Sequence, residues 1–145
     1  MIVNKWARSE YSISDTYVAG VMLTGAEVKS LREERGSLRE GFAKLINGEL
    51  FLIGADIPKY SHYSGKEYDA KRSRKLLLKQ SEMLKIQKQI EGKNLTLIPL
   101  KLFFKGRWAK CEIGVGKGKR EWEKRADLKA RDIKRDLAKA VKNTV

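Results

Sequence analysis

Phe42-Ala43-Lys44-Leu45-Ile46-Asn47-Gly48-Glu49-Leu50-Phe51-Leu52-Ile53 is the stretch that decides the fold class. Asn47-Gly48 tolerates the two successive positive φ angles of a type I′ turn, and its flanks Phe42–Ile46 and Glu49–Ile53 are short and rich in strand-forming residues. A tight antiparallel hairpin is predicted. A second one is expected between residues 94–104 and 108–115, joined by Lys105-Gly106-Arg107. In its second arm Ala109, Cys111, Ile113 and Val115 alternate with Lys110, Glu112 and Gly114.

Working outward, residues 10–13 and 17–23 are further strand candidates, with Gly20 marking a bulge or a close backbone contact. The period then changes. Thr24-Gly25-Ala26-Glu27 has the form of a capping box, Val28 and Leu31 supply an apolar helix face, and Gly36 is the natural stop. Residues 58–74 carry three tyrosines, His62 and several cations without a period, which reads as an exposed loop suited to stacking on bases. Leu76–Leu78 fits a strand or a first helical turn equally. Ser81 precedes a second amphipathic helix over residues 82–91, with Met83, Ile86 and Ile90 on one face and Gly92 after it. Six strands with tight hairpins cannot all be parallel crossovers, and closure removes exposed edges. The expected fold is mainly β with peripheral helices (α+β), a closed antiparallel OB-like barrel.

At 145 residues and 41% hydrophobic content, one core is the expectation. Thirty-two Lys and Arg face 18 Asp and Glu, a formal charge of +14, so a polyanion is the default partner, RNA or DNA first. No stretch approaches the roughly 20 apolar residues of a membrane span, and residues 1–8 lack a secretory signal's apolar core, so a cytoplasmic protein is expected. With one cysteine, Cys111, and one histidine, His62, neither an internal disulfide nor a Cys/His zinc site can be assembled. There is no phosphate-cradling glycine motif and no nucleophile paired with a base. No enzyme, metal or cofactor is expected.

Two segments follow from composition: a body over residues 1–115 and a basic tail over residues 116–145. Between Lys117 and Lys142 lie 11 basic and 5 acidic residues, a net +6. Trp122, Ala126, Ala130, Ile133, Leu137 and Val141 recur at helical spacing, but that apolar stripe is thin, so an isolated helix there is marginal in water. The tail is expected to be disordered or loosely helical when free and to order on a polyanion. Gly114, Gly116 and Gly118 suggest a flexible joint before it.

Five blocks carry a resemblance. They are Asn4-Lys5-Trp6-Ala7-Arg8-Ser9-Glu10-Tyr11; Ala19-Gly20 with Thr24-Gly25-Ala26-Glu27-Val28-Lys29-Ser30-Leu31-Arg32; Arg72-Ser73-Arg74-Lys75-Leu76-Leu77-Leu78; Leu95-Thr96-Leu97-Ile98-Pro99-Leu100-Lys101-Leu102; and Gly118-Lys119-Arg120 before Glu123-Lys124-Arg125. In this order and spacing the chain resembles the SsrA-binding protein family, SmpB. The resemblance implies a monomeric, non-enzymatic adaptor that binds the tRNA-like domain of tmRNA. With elongation factor Tu it would deliver alanyl-tmRNA to stalled ribosomes, the tail entering the decoding centre and the empty mRNA channel as a helix.

Carried over by position, Asn4, Lys5, Arg8, Arg72, Arg74, Lys75 and Leu77 are implied tmRNA contacts. Lys119, Arg120, Trp122, Lys124, Arg125, Lys129, Arg131, Lys134 and Arg135 are implied ribosome contacts of the tail. Val18 stands where the family commonly has a glutamate, so that contact is absent or replaced; Ser9 stands where histidine is frequent. Read by residue type alone, Glu27 is a helix cap, Leu77 is equally a core residue, Trp108 and Phe103 are packing residues, and Cys111 is a buried hydrophobe. Trp6, Tyr60, Tyr63 and Trp122 lie in polar segments that favour stacking. The alternative function is a general OB-fold binder of single-stranded RNA.

Overall fold

The computed structural model describes residues 1–63 and 67–118. Among them the elements run β1 (Ile2–Val3), α1 (Ala7–Glu10), β2 (Tyr11–Val21), α2 (Gly25–Arg32), β3 (Phe42–Ile46), β4 (Glu49–Ile53), β5 (Arg74–Leu77), α3 (Gln80–Ile90), β6 (Thr96–Lys105) and β7 (Trp108–Gly118). Asn47 (φ 52°) and Gly48 (φ 77°) both take the positive φ that the first hairpin needs, and Ile46 faces Glu49 across the turn. Gly106 (φ 64°) turns the second, where Lys105 faces Trp108. Of Leu76–Leu78, Leu76 and Leu77 resolve as strand, since β5 pairs with both β4 and β2, and Leu78 follows its end.

The sheet order is β1-β6-β3-β4-β5-β2-β7, and β6 also pairs with β7, so the pairings of six strands run in a ring with β1 attached outside it. Every pairing is antiparallel. Inward-pointing residues fill the ring: Ala19 and Val21 of β2, Leu50 and Leu52 of β4, Leu76 of β5, and Cys111, Ile113 and Val115 of β7 share one cluster with Leu31 of α2 and Ile86 of α3. Each such aliphatic side chain contributes about 1.5–3 kcal/mol on burial. Burial, with a lesser push from the charge of Glu112, raises the Cys111 thiol to about 12, so it behaves as a packed apolar group.

β6 is buried on both faces, which accounts for its unbroken apolar run. Leu97 and Leu102 face the main core, whereas Ile98 and Leu100 face outward beneath Ala7 of α1, with Tyr11 and Ile13 beside them. A register shift between Pro99 and Lys101 lets the strand change phase, and Pro99, which has no amide to donate, sits at that break.

Several expectations are corrected. The two strand candidates before α2 form one 11-residue strand whose bulge falls between Ile13 and Asp15, not at Gly20, which pairs regularly with Leu77 and Lys110. The capping box holds: the Thr24 hydroxyl accepts from the Glu27 amide at 3.3 Å, and the Thr24 amide donates to Glu27 at 2.8 Å. The chain turns out of α2 at Glu34 (φ 58°), ahead of Gly36. α3 starts at Gln80 with Lys79 as its N-cap rather than at Ser81. α1 and β1 had no sequence signal.

The largest correction concerns the boundary after residue 115. β7 continues to Gly118, pairing Gly116, Lys117 and Gly118 with Ile13, Ser12 and Tyr11. Gly114 and Gly116 are therefore packed rather than hinged. A Cβ on Gly114 would meet Ile13 Cγ2 at 2.9 Å, and one on Gly116 would meet the Ser12 carbonyl oxygen at 2.9 Å. Strand β7 thus extends past residue 115, and the tail cations Lys119 to Arg135, with Trp122, lie outside the described residues.

Candidate nucleic-acid interface

Strand register places two of the implied contact residues, Lys75 and Leu77, on one outer face of the sheet. Cross-strand partners point to the same side of a sheet. Leu77 faces Gly20, Gly20 faces Lys110, and Lys110 faces Phe103, which makes one outward row across β5, β2, β7 and β6. Two residues along lies a parallel row in which Val18 faces Glu112, Glu112 faces Lys101, and Lys101 faces Val3. Leu77 and Val18 are each 50% exposed, and Met22 extends the apolar part of the surface. Gly20 has no side chain to stand between them.

Cations border these apolar groups. Lys101 Nζ lies 3.2 Å from Glu112 and 5.4 Å from the centre of the Phe103 ring. Where the second row meets β1, Lys5 and Arg8 join Val3, Asn4, Leu100, Lys101 and Glu112 around an open cavity of about 360 Å³. Lys75 is on the outer face of β5, two residues from Leu77, and pairs loosely with Glu49 at 3.3 Å. Exposed pairs of this kind contribute little to stability and are easily exchanged for a phosphate partner.

The structure puts two implied contacts to internal use. Arg74 was expected at phosphates but is 0% exposed, because it alternates inward next to Leu76. Its Nε donates to Glu27 at 2.6 Å, Nη1 to the Ala55 carbonyl at 2.9 Å and Nη2 to the Ala70 carbonyl at 3.0 Å. Asn4 clips the N-terminal segment to β6 and to the loop before β3, its Nδ2 donating to the carbonyls of Pro99 at 3.0 Å and Leu38 at 3.3 Å. Arg72 is intermediate: Nη2 donates to Glu27 at 2.7 Å, yet its side chain is part exposed.

Glu27 is therefore more than a cap. Burial alone would raise its carboxyl, but hydrogen bonds from Arg72 and the Thr24 amide, with the charge of Arg74, hold it below its ordinary value of 4.5. The carboxylate ties α2 to β5 and to the loop before it.

Sequence reasoning missed Lys101, Lys110 and Glu112, and it misjudged Trp108. That indole is 67% exposed at the tip of the β6–β7 hairpin, on the same outward side of β7 as Lys110. The alternation of residues 108–115 already puts Trp108, Lys110 and Glu112 opposite the buried Cys111 and Ile113; that signal was legible. Among the described residues no group of three or more His, Cys, Asp or Glu could hold a metal ion, and no helix is long and apolar enough to cross a membrane.

Comparison with known proteins gives this surface a context. Residues 1–143 match the family model described as SmpB protein. The chain is 48% identical over 137 residues to the SsrA-binding protein of Salinispora arenicola, covering 94% of this chain and 86% of that protein. It is 46% identical over 140 residues to the SsrA-binding protein of Microcystis aeruginosa (96% and 91% covered), and 41% identical over 140 residues to that of Streptococcus thermophilus (97% and 91% covered). A chain from the solved structure "tmRNA-SmpB: a journey to the center of the bacterial ribosome" superposes with a TM-score of 0.69 at 41% identity, over 82% of this chain and 84% of that one. On the strength of a match over residues 1–143, the chain belongs to the SmpB family of SsrA-binding proteins.

Proposed function

We propose that the chain binds tmRNA through the outer face of β5, β2, β7 and β6 and carries it to stalled ribosomes in trans-translation. The observation that carries this is the register, which gathers Leu77, Lys110 and Lys101 on one side of a basic molecule in a family of SsrA-binding proteins, with Lys5 and Arg8 lining the cavity beside Lys101 and Glu112. Cations neutralise phosphates without regard to sequence, while the apolar row of Leu77, Gly20 and Val18 requires a complementary shape, so a folded RNA fits better than an extended strand. Glu112, opposite Val18, is the acidic group of this face and accepts from base or ribose donors there. The ring of pairings is a closed OB-like barrel in this account, rigid enough to present both rows at fixed spacing. It acts as a monomeric adaptor in the cytoplasm, not as an enzyme. Elongation factor Tu joins it on alanyl-tmRNA, and the tail occupies the decoding centre and the empty mRNA channel.

A gel-shift comparison tests the first step. At moderate ionic strength the tRNA-like domain of tmRNA is expected to bind at least about tenfold more tightly than ordinary tRNA or unstructured RNA, a difference of about 1.4 kcal/mol. Equal affinity for all three would reduce the chain to a general RNA binder.

A further inference from the structure

The solvent side of α2 and the start of the loop after β4 form a second surface, made from residues the sheet face does not use. Lys29, Arg32 and Arg35 recur every three residues along and just past the helix, while Glu27, Ser30 and Leu31 turn inward. Three cations here each lie over a ring: Lys29 Nζ is 5.6 Å from the centre of Tyr60, Arg32 Cζ is 4.4 Å from that of Phe104, and Lys59 Nζ is 5.4 Å from that of Tyr63. His62 meets Tyr60 edge-on, with centroids 5.4 Å apart at 66°.

Anchors fix the start of this loop. The Ser30 hydroxyl donates to the Pro58 carbonyl at 2.7 Å, the Tyr68 hydroxyl donates to the Ile57 carbonyl at 2.6 Å, and the Tyr63 amide donates to the Tyr60 carbonyl at 2.9 Å. Core packing does not account for the ring of Tyr60, which belongs to neither apolar cluster, and His62 and Lys59 are exposed; the Tyr63 ring is instead held by Tyr68, with centroids 5.6 Å apart, and by its hydroxyl donating to the Glu67 carbonyl at 3.0 Å. Preset rings interleaved with cations suit unpaired nucleotides: bases stack on the rings while phosphates meet the ammonium and guanidinium groups. An acidic peptide would use the cations and leave the rings without a role.

We propose that α2 and residues 59–63 form a second RNA-binding surface, which takes unpaired nucleotides by stacking on Tyr60 and His62 beside Lys29 and Lys59. It rests on the chain being an RNA binder but not on its preference for tmRNA. The test is fluorescence anisotropy of the full chain with a labelled 12-nucleotide oligouridine. Tyr60→Ala with His62→Ala is expected to weaken binding by at least about 5- to 150-fold, the range set by losing one base stack. Tyr60→Phe, which keeps the ring, is expected to bind like the parent and shows that the loss is not misfolding. Leu77→Asn, on the sheet face, is expected to leave oligouridine binding unchanged while weakening binding to the tRNA-like domain.

Parent-like affinity of the double variant would overturn the proposal. So would an equal loss in Leu77→Asn, or competition by polyglutamate of the same length as effective as by unlabelled oligouridine. Failure to prefer the tRNA-like domain over ordinary tRNA would instead defeat the tmRNA assignment and leave the oligouridine result standing.

Discussion

Glu27→Ala is expected to destabilise the protein by about 3–5 kcal/mol, as breaking one side of a buried ion pair does. Glu27 is 1% exposed and Arg74 0% exposed, so removing the carboxylate strands a guanidinium that water cannot reach. The variant also loses one half of the α2 capping box, the carboxylate that accepts from the Thr24 amide, whereas the backbone amide of residue 27 still donates to the Thr24 hydroxyl. Domains of this size hold about 5–15 kcal/mol in total, so urea unfolding should show a large fall in midpoint. Replacing Glu27 and Arg74 together with methionine is expected to cost much less than the two single changes combined, because no charge is then left buried.

The pH dependence has the same origin. Glu27 is held below 4.5 in the folded protein and regains an ordinary carboxyl when unfolded. A depressed folded value means that the stabilisation is fully present above the unfolded value and is lost as pH falls from about 4.5 through the folded value. Unfolding midpoints of the parent should therefore drop across this acid range, and Glu27→Gln should lack that component. A Glu27→Ala variant as stable as the parent, or an identical acid profile in Glu27→Gln, would mean that Glu27, with Arg72 and Arg74, does not hold α2 to β5.

Ending the chain after Gly118 is expected to abolish peptide tagging on a truncated message in reconstituted translation while changing affinity for the tRNA-like domain only a few-fold. The cut belongs at Gly118 rather than at Val115, because residues 116–118 complete β7 against Tyr11–Ile13. Residues 119–145 carry 10 basic and 5 acidic residues, a net +5. Their removal should lower the salt dependence of RNA binding modestly, while the phosphate contacts of the sheet face persist. Tagging that survives the deletion, or RNA affinity that collapses with it, would contradict the division of labour between body and tail.

What could be read from the sequence was local. Asn47-Gly48 and Thr24 to Glu27 specify their own geometry within four residues, so the first hairpin and the start of α2 were legible. Features that depend on distant partners were not. Arg74 looked like a phosphate ligand because its buried partner Glu27 lies 47 residues earlier. Gly114 and Gly116 looked like a joint because Ile13, which packs over them, is a hundred residues away in sequence. A tryptophan in a strand reads as packed, yet the alternation of Trp108 with Cys111 and Ile113 turns its indole outward. β1 and α1 span two and four residues, too short for any periodic pattern to register.

The sharpest test is amide chemical-shift mapping of the labelled chain titrated with the tRNA-like domain of tmRNA. Perturbations should concentrate at Val18, Gly20, Leu77, Lys101, Lys110 and Glu112, with Leu50 and Leu52 inside the ring little affected. Shifts confined to other surfaces, with this face silent at saturating RNA, would contradict the claim that the outer sheet face grips the folded RNA.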